Sequence, residues 1–152
     1  MDNKDFIIEN KVLKDYTGKG TPKFNIPNGV TEISEIFYHL SPLIAESIKE
    51  LYIPKSVKVI GRNAFPNLGI TSLTIPDGVT EIGEYAFYNC ESLVEVYIPN
   101  SVKVIGQGAF GRCKKIKKIT LPKRFKYKIE DFMDFERIKL FGIFGSCKYK
   151  YI

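Results

Sequence analysis

Residues 53–65 read IPKSVKVIGRNAF, residues 75–87 read IPDGVTEIGEYAF, and residues 98–110 read IPNSVKVIGQGAF. The three stretches superimpose almost letter for letter, which no packing of unrelated elements demands, so the chain is a tandem repeat and its fold follows from the period. Ile53-Pro54, Ile75-Pro76, Ile98-Pro99 and Leu121-Pro122 follow one another at spacings of 22, 23 and 23 residues. Ile26-Pro27 precedes the first of them by 27.

Each unit has a readable internal order. In Leu51-Tyr52-Ile53, Leu73-Thr74-Ile75, Val96-Tyr97-Ile98 and Ile119-Thr120-Leu121 an apolar residue alternates with a wetter one, the period of a strand with one buried face. Stacked copies of such strands run parallel. The following Pro cannot donate to a ladder and ends the strand, and Asn28-Gly29 or Asp77-Gly78 supplies turn chemistry. Val57 with Ile60, Val79 with Ile82, and Val102 with Ile105 return apolar side chains to the core from a second short extended segment, punctuated by Gly61, Gly83 and Gly106. The Ala-Phe pair that closes each unit predicts one short helical turn that drops Phe65, Phe87 and Phe110 into an aromatic column. One such coil buries too little to stand alone, so stacking must stabilise it.

The pattern L-x-x-L-x-I-P followed by V-x-x-I-G-x-x-A-F-x-x-C/L resembles the BspA-like class of leucine-rich repeats over about residues 26 to 122. The resemblance implies a solenoid of short parallel strands. It also implies adhesion or protein-recognition roles, since such repeats are similar to modules of that kind. Residues 6–20 are similar to the hairpin that often opens these chains. The expected organisation is one capped domain over 1–152: an N-terminal hairpin cap (1–25), four to five repeats (26–122) with the first enlarged, and a C-terminal cap (123–152). Phe125, Ile129, Phe132, Phe135 and Ile138 recur at three- and four-residue spacing, as an amphipathic capping helix requires. The segment 148–152 is read as a last strand. Residues 36–48 lack the Gly and the clean Ala-Phe and are read as an enlarged helix. Insertions of this kind map to one solenoid face that often binds, although a degenerate repeat beside a cap explains it equally simply.

Composition narrows the function. The chain has 152 residues, 44% of them apolar and 26% charged, the mix of one domain with a real core. There is no apolar run of membrane-spanning length and no leader with a cleavage site, which reads as cytoplasmic with no membrane partner. Three cysteines with no C-x-x-C suggest neither a disulfide framework nor zinc. Cys90 and Cys113 stand where Leu68 stands in the preceding copy, a small buried apolar slot. Cys147 lies outside the repeat and is a candidate free thiol. His39 is the only histidine, so an imidazole metal cluster is excluded and any nucleophile–base pair would converge on that residue. Gly106-Gln107-Gly108-Ala109-Phe110-Gly111 spells a dinucleotide fingerprint, yet Gly106 is in register with Gly61 and Gly83, so the repeat explains it. Glu130, Asp131, Asp134 and Glu136 are at the spacing of a solvated helix face rather than a paired-carboxylate site. No enzyme and no cofactor are expected.

Surfaces remain. Outward strand positions form two ladders, Tyr52, Thr74, Tyr97 and Thr120 in one, and Glu50, Ser72, Glu95 and Lys118 in the next. Glu50, Tyr52, Thr74, Glu95, Tyr97, Lys118 and Thr120 are the candidate protein-binding face. Strands about 4.8 Å apart would put the two tyrosines roughly 10 Å from each other as anchors. The simpler account is that Tyr and Thr are good strand residues. The net charge is +6, and almost all of it falls in the second half. Between Ser101 and Lys128 lie ten basic residues and no acidic one. The candidate basic patch is Arg112, Lys114, Lys115, Lys117, Lys118, Lys123, Arg124, Lys126 and Lys128, suited to an acidic protein surface or, less well, to nucleic acid, since only two of the ten basic residues are Arg and few aromatics interleave. The functional expectation is a non-enzymatic protein-binding module: an adaptor, a recognition protein, or a phage-type or host-directed inhibitor. The alternative is a nucleic-acid or nucleoprotein binder using residues 101–128.

Overall fold

The computed structural model describes residues 3–37, 40–126, 128–133 and 148–152. The coils wind two rows of strands around one continuous core. The chain opens with β1 (Phe6–Glu9) and β2 (Val12–Tyr16), an antiparallel hairpin whose two-residue turn has positive φ at both Asn10 (50°) and Lys11 (66°), as a turn matched to strand twist requires. β2 then pairs in parallel with β4 (Glu32–Ile33), which starts a row continuing through β6 (Val59–Ile60), β8 (Glu81–Ile82) and β10 (Val104–Ile105). The second row consists of β3 (Lys23–Asn25), β5 (Glu50–Tyr52), β7 (Ser72–Thr74), β9 (Glu95–Tyr97), β11 (Lys118–Leu121) and β12 (Lys148–Tyr151). All pairings along this second row are parallel. The chain is a parallel β-solenoid, and the apolar member of each alternation faces inward: Phe24, Leu73, Val96 and Ile119 are buried.

The expected helical turn after each glycine is not a helix. Residues 61–68 and their equivalents form a turn in which Asn63, Asn67, Tyr85, Asn89 and Arg112 have positive φ. Alternate amides are spent between coils rather than within one: Asn63, Phe65 and Asn67 donate to Glu84 O, Ala86 O and Tyr88 O, and Tyr85, Phe87 and Asn89 donate to Gln107 O, Ala109 O and Gly111 O. Lateral bonding of these groups removes the donors that a helix needs.

The aromatic column forms as expected. Phe65, Phe87 and Phe110 stack with centroids 5.5 Å apart at each step, the rings 22° and then 5° from parallel. The column is longer than the repeat pattern indicates, because Phe37 joins it 5.7 Å from Phe65 and Phe132 joins it 6.4 Å from Phe110.

The enlarged helix of the first coil is confined to α1 (Pro42–Ser47), with Pro at its start, where the missing N–H costs nothing. Ile36 and Phe37 are buried in a turn before it. Among the described residues after β11, two short pieces stand where the amphipathic helix is expected, a 3-10 turn over Lys123–Phe125 and α2 (Ile129–Phe132). Phe125, Ile129 and Phe132 are buried as the spacing predicts. Asp131 O and Phe132 O accept the amides of Gly108 and Phe110, so α2 continues the lateral ladder of the last turn. Phe135, Ile138, Asp134, Glu136, His39 and Cys147 lie outside the described residues.

Candidate functional site

The strand row that carries the candidate face is split. β5 pairs only with β3, and β7 pairs only with β9, so the row is a two-stranded sheet beside a four-stranded one. The continuous ladders expected from the repeat are therefore wrong at one step: Glu50 and Tyr52 stand in register with Lys23 and Asn25, whereas Thr74, Tyr97 and Thr120 form the other run.

The break coincides with a difference in chain length. Leu68 and Ile70, both buried, are linked by Gly69 alone, where Cys90 and Leu93, or Cys113 and Ile116, are linked by two residues. In the longer links Leu93 donates to Cys90 O and Ile116 to Cys113 O, closing a turn that delivers the next strand into register. The short link makes no such bond among the described residues. Gly69 lies against the end of α1 instead, so close that a Cβ would sit 2.0 Å from Glu46 O.

The split opens a cleft of about 500 Å³ between β5 and β7, a volume typical of binding pockets. Its walls include Lys49, Leu51, Tyr52, Thr74, Asp77 and Tyr97. Tyr52 (53% exposed) and Tyr97 (39%) are among the large side chains the fold leaves open. A shallower hollow over Thr74, Tyr97, Lys118 and Thr120 continues from it along the row. Thr120 itself contributes little area, since it is only 8% exposed between Tyr97 and Lys150 in the register. Charges along the row are paired: Lys23 Nζ to Glu50 at 3.0 Å and Lys118 Nζ to Glu95 at 3.3 Å.

The nine residues of the basic patch are all exposed, but they run from the turn before β11, along its start and into the segment after it rather than along one strand. Arg112, Lys114 and Lys115 lie on the turn side, Lys117 and Lys118 at the start of β11, and Lys123, Arg124, Lys126 and Lys128 beyond it. Some of the charge is engaged within the fold: Lys114 pairs with Glu91 at 3.0 Å, Arg112 lies 5.6 Å from the ring centre of Tyr88, and Arg124 donates to Val102 O and Asn100 O.

The remaining candidates resolve as parts of the stack. Cys90 and Cys113 are buried free thiols, donating to Phe65 O at 3.4 Å and Phe87 O at 3.2 Å. Burial, reinforced by the neighbouring Cys113, pushes the Cys90 thiol up well above its ordinary value. The three glycines of the apparent fingerprint answer packing: Gly106 against Glu84, Gly108 in a left-handed turn against Tyr85, and Gly111 beside Tyr88. No group of three or more His, Cys, Asp or Glu side chains placed to hold a metal occurs among the described residues. No helix among them is long and apolar enough to cross a membrane.

The BspA type leucine-rich repeat region matches residues 43–149 in six copies. The chain belongs to the BspA type leucine-rich repeat family. Repeats of this family commonly mediate protein–protein interaction. Among solved structures, this BspA type chain is similar to a leucine-rich repeat protein from Bacteroides ovatus, with 31% identity and a TM-score of 0.61 over 82% of this chain and 30% of that one. A leucine-rich repeat protein of T. pallidum shares the fold at 22% identity and a TM-score of 0.61, covering 80% of this chain and 71% of that one. A leucine-rich cell surface protein from Faecalibacterium prausnitzii does so at 21% identity and a TM-score of 0.54, covering 75% and 36%. The BspA type chain thus spans under a third of the Bacteroides ovatus protein's length. No curated protein matches it significantly.

Sequence reasoning missed the cleft and the strand that pairs with β5 on its far side. Lys23-Phe24-Asn25, assigned to the opening cap, is the first strand of the row, and the alternation Phe24-Asn25-Ile26 before Pro27 was the available signal. The cleft had a signal too: the 22-residue spacing among spacings of 23.

Proposed function

We propose that this chain is a non-enzymatic protein-binding module whose partner docks on the row of β5, β7, β9 and β11, anchored at the cleft. The observation that carries the reading is the cleft itself, with Tyr52 and Tyr97 both in its walls and both exposed. Tyrosines supply large contact area at low entropy cost and are frequent interface anchors. The excess of basic side chains around β11 favours a partner with an acidic surface there. An adaptor and an inhibitor that occludes a larger enzyme would both use such a face.

The test is capture of partners from the source organism's lysate, identified by mass spectrometry, with the wild type and with a Tyr52→Ala/Tyr97→Ala variant whose unfolding curve is unchanged. Proteins held by the wild type and lost by the variant support the face; equal capture overturns it. Nucleic acid as the partner class is tested by salt titration against duplex and single-stranded probes. Binding that persists at physiological salt would replace the protein-binding reading, and loss of binding by that point leaves it standing.

A further inference from the structure

The cleft between β5 and β7 has a chemical character beyond its volume: its two long walls are strand edges. Elsewhere along the row, the residue after each strand ties it to the next coil. Ile26 donates to Tyr52 O, Ile75 to Tyr97 O and Ile98 to Thr120 O. The corresponding bond from Ile53 to Thr74 O is absent. At the strand starts, Glu50 donates to Pro22 O, Glu95 to Thr71 O and Lys118 to Val94 O, and no bond from Ser72 to Lys49 O completes the series.

Alternation along a strand decides where the unused groups point. Because Ile75 and Thr71 bond toward β9, the N–H and C=O of Ser72 and Thr74 face the cleft; because Tyr52 bonds toward β3, those of Leu51, with the Ile53 N–H, face it from the other side. The opposite row keeps β6 and β8 paired, and the turns stay bonded, so the opening is confined to one side of the solenoid.

The geometry points to this cleft as a slot for one extended peptide segment of a partner protein, which adds as a strand between β5 and β7 and carries an acidic side chain toward Lys49. This deepens the proposed protein-binding role and rests on it. Backbone complementarity argues for an extended strand, since main-chain bonds give such an occupant its affinity and alternate side chains its specificity. Charge argues for the acid. Glu50 is neutralised by Lys23, whereas the ammonium groups of Lys49 and Lys55, both in the lining, meet no carboxylate at ion-pair distance among the described residues, and that of Lys49 donates to the Glu46 carbonyl.

The experiment pans a random heptapeptide display library against the intact chain, then measures binding of the selected peptides as synthetic amides. The expected peptides alternate β-branched or aromatic residues with polar ones and carry Asp or Glu toward one end. Because successive amides of a strand inserted between two edges face β5 and β7 in turn, single N-methylation at any central peptide amide should weaken binding by about tenfold or more, and methylation at the terminal amides far less. On the protein, Thr74→Pro removes a cleft-facing N–H while leaving every bond to β9, and should cost a similar factor with the unfolding curve little changed. Should that variant not fold, the N-methyl scan decides alone. Failure to select any peptide, or binding indifferent to N-methylation, overturns strand addition. If the Tyr52→Ala/Tyr97→Ala variant still loses its captured partners in that case, the face binds through side chains to a folded surface, and the broader reading survives.

Discussion

Gly106 passes so close to Glu84 of the preceding coil that a Cβ would lie 2.4 Å from the Glu84 backbone nitrogen. Gly83 stands in the same relation to Arg62, at 2.6 Å, and Gly61 to the Ile33 carbonyl, at 2.6 Å. The glycine of each repeat is therefore a stacking requirement. In each case the neighbour is backbone, which cannot swing aside as a flexible side chain can. Gly106→Ala should lower stability by about 1–3 kcal/mol, read from urea unfolding, while the exposed neighbour change Gln107→Ala stays within about 0.5 kcal/mol.

The aromatic column sets the largest packing effect. Phe87 is fully buried with Phe65 on one side and Phe110 on the other, each at 5.5 Å. Replacing it by Ala leaves a cavity in mid-stack that neither neighbouring coil can fill without losing its own register. Phe87→Ala should cost about 3–5 kcal/mol, measured by chemical or thermal denaturation.

Burial keeps the Cys90 thiol protonated, with the adjacent Cys113 adding to the effect. The native protein should resist iodoacetamide at Cys90 at pH 8 and react there once unfolded in urea. Linkage fixes the sign of the pH effect. Above the ordinary thiol value of 9.0 the unfolded chain gives up a proton that the folded chain retains, so stability is full below that pH and falls as pH rises through it. Tyr16, raised from 10.0 chiefly by burial, acts in the same direction at slightly higher pH. Unfolding midpoints between pH 7 and pH 10.5 check the trend, and a Cys90→Ala variant should flatten its earlier part.

Lengthening the short link should close the cleft. A Ser inserted between Gly69 and Ile70 restores the two-residue connection found after Cys90 and Cys113, and β5 and β7 should then pair. Hydrogen exchange at the Ile53 and Thr74 amides reads the result directly, with protection rising toward that of Ile75. Amides that exchange as fast as before would show that α1, not the length of the link, holds the strands apart.

Much of the fold was legible because a repeat states its rule several times. The inward positions Leu73, Val96 and Ile119, the second-segment pairs such as Val79 with Ile82, and the column of Phe65, Phe87 and Phe110 all follow from period alone. The closing turn did not. Ala-Phe preceded by a polar pair is equally compatible with a helical turn, and only the neighbouring coil, offering carbonyls at Glu84, Ala86 and Tyr88, draws those amides sideways. Phe37 and Phe132 were hidden because their coils break the pattern while still supplying a ring where the column needs one. Among the site residues, Tyr52, Thr74 and Tyr97 come together around the cleft, Glu50 and Glu95 are tied to lysines, and Thr120 is covered.

That this chain is a stack of near-identical coils with a shared core can be read from its residues alone, because side-chain alternation and repeat spacing are local properties that each unit carries within it. Where the stack is interrupted is a property of the folded molecule. Whether a strand pairs depends on how the chain returns from the far side of its coil, and where that return is one residue shorter and lies against Glu46, β5 and β7 have facing, unjoined edges.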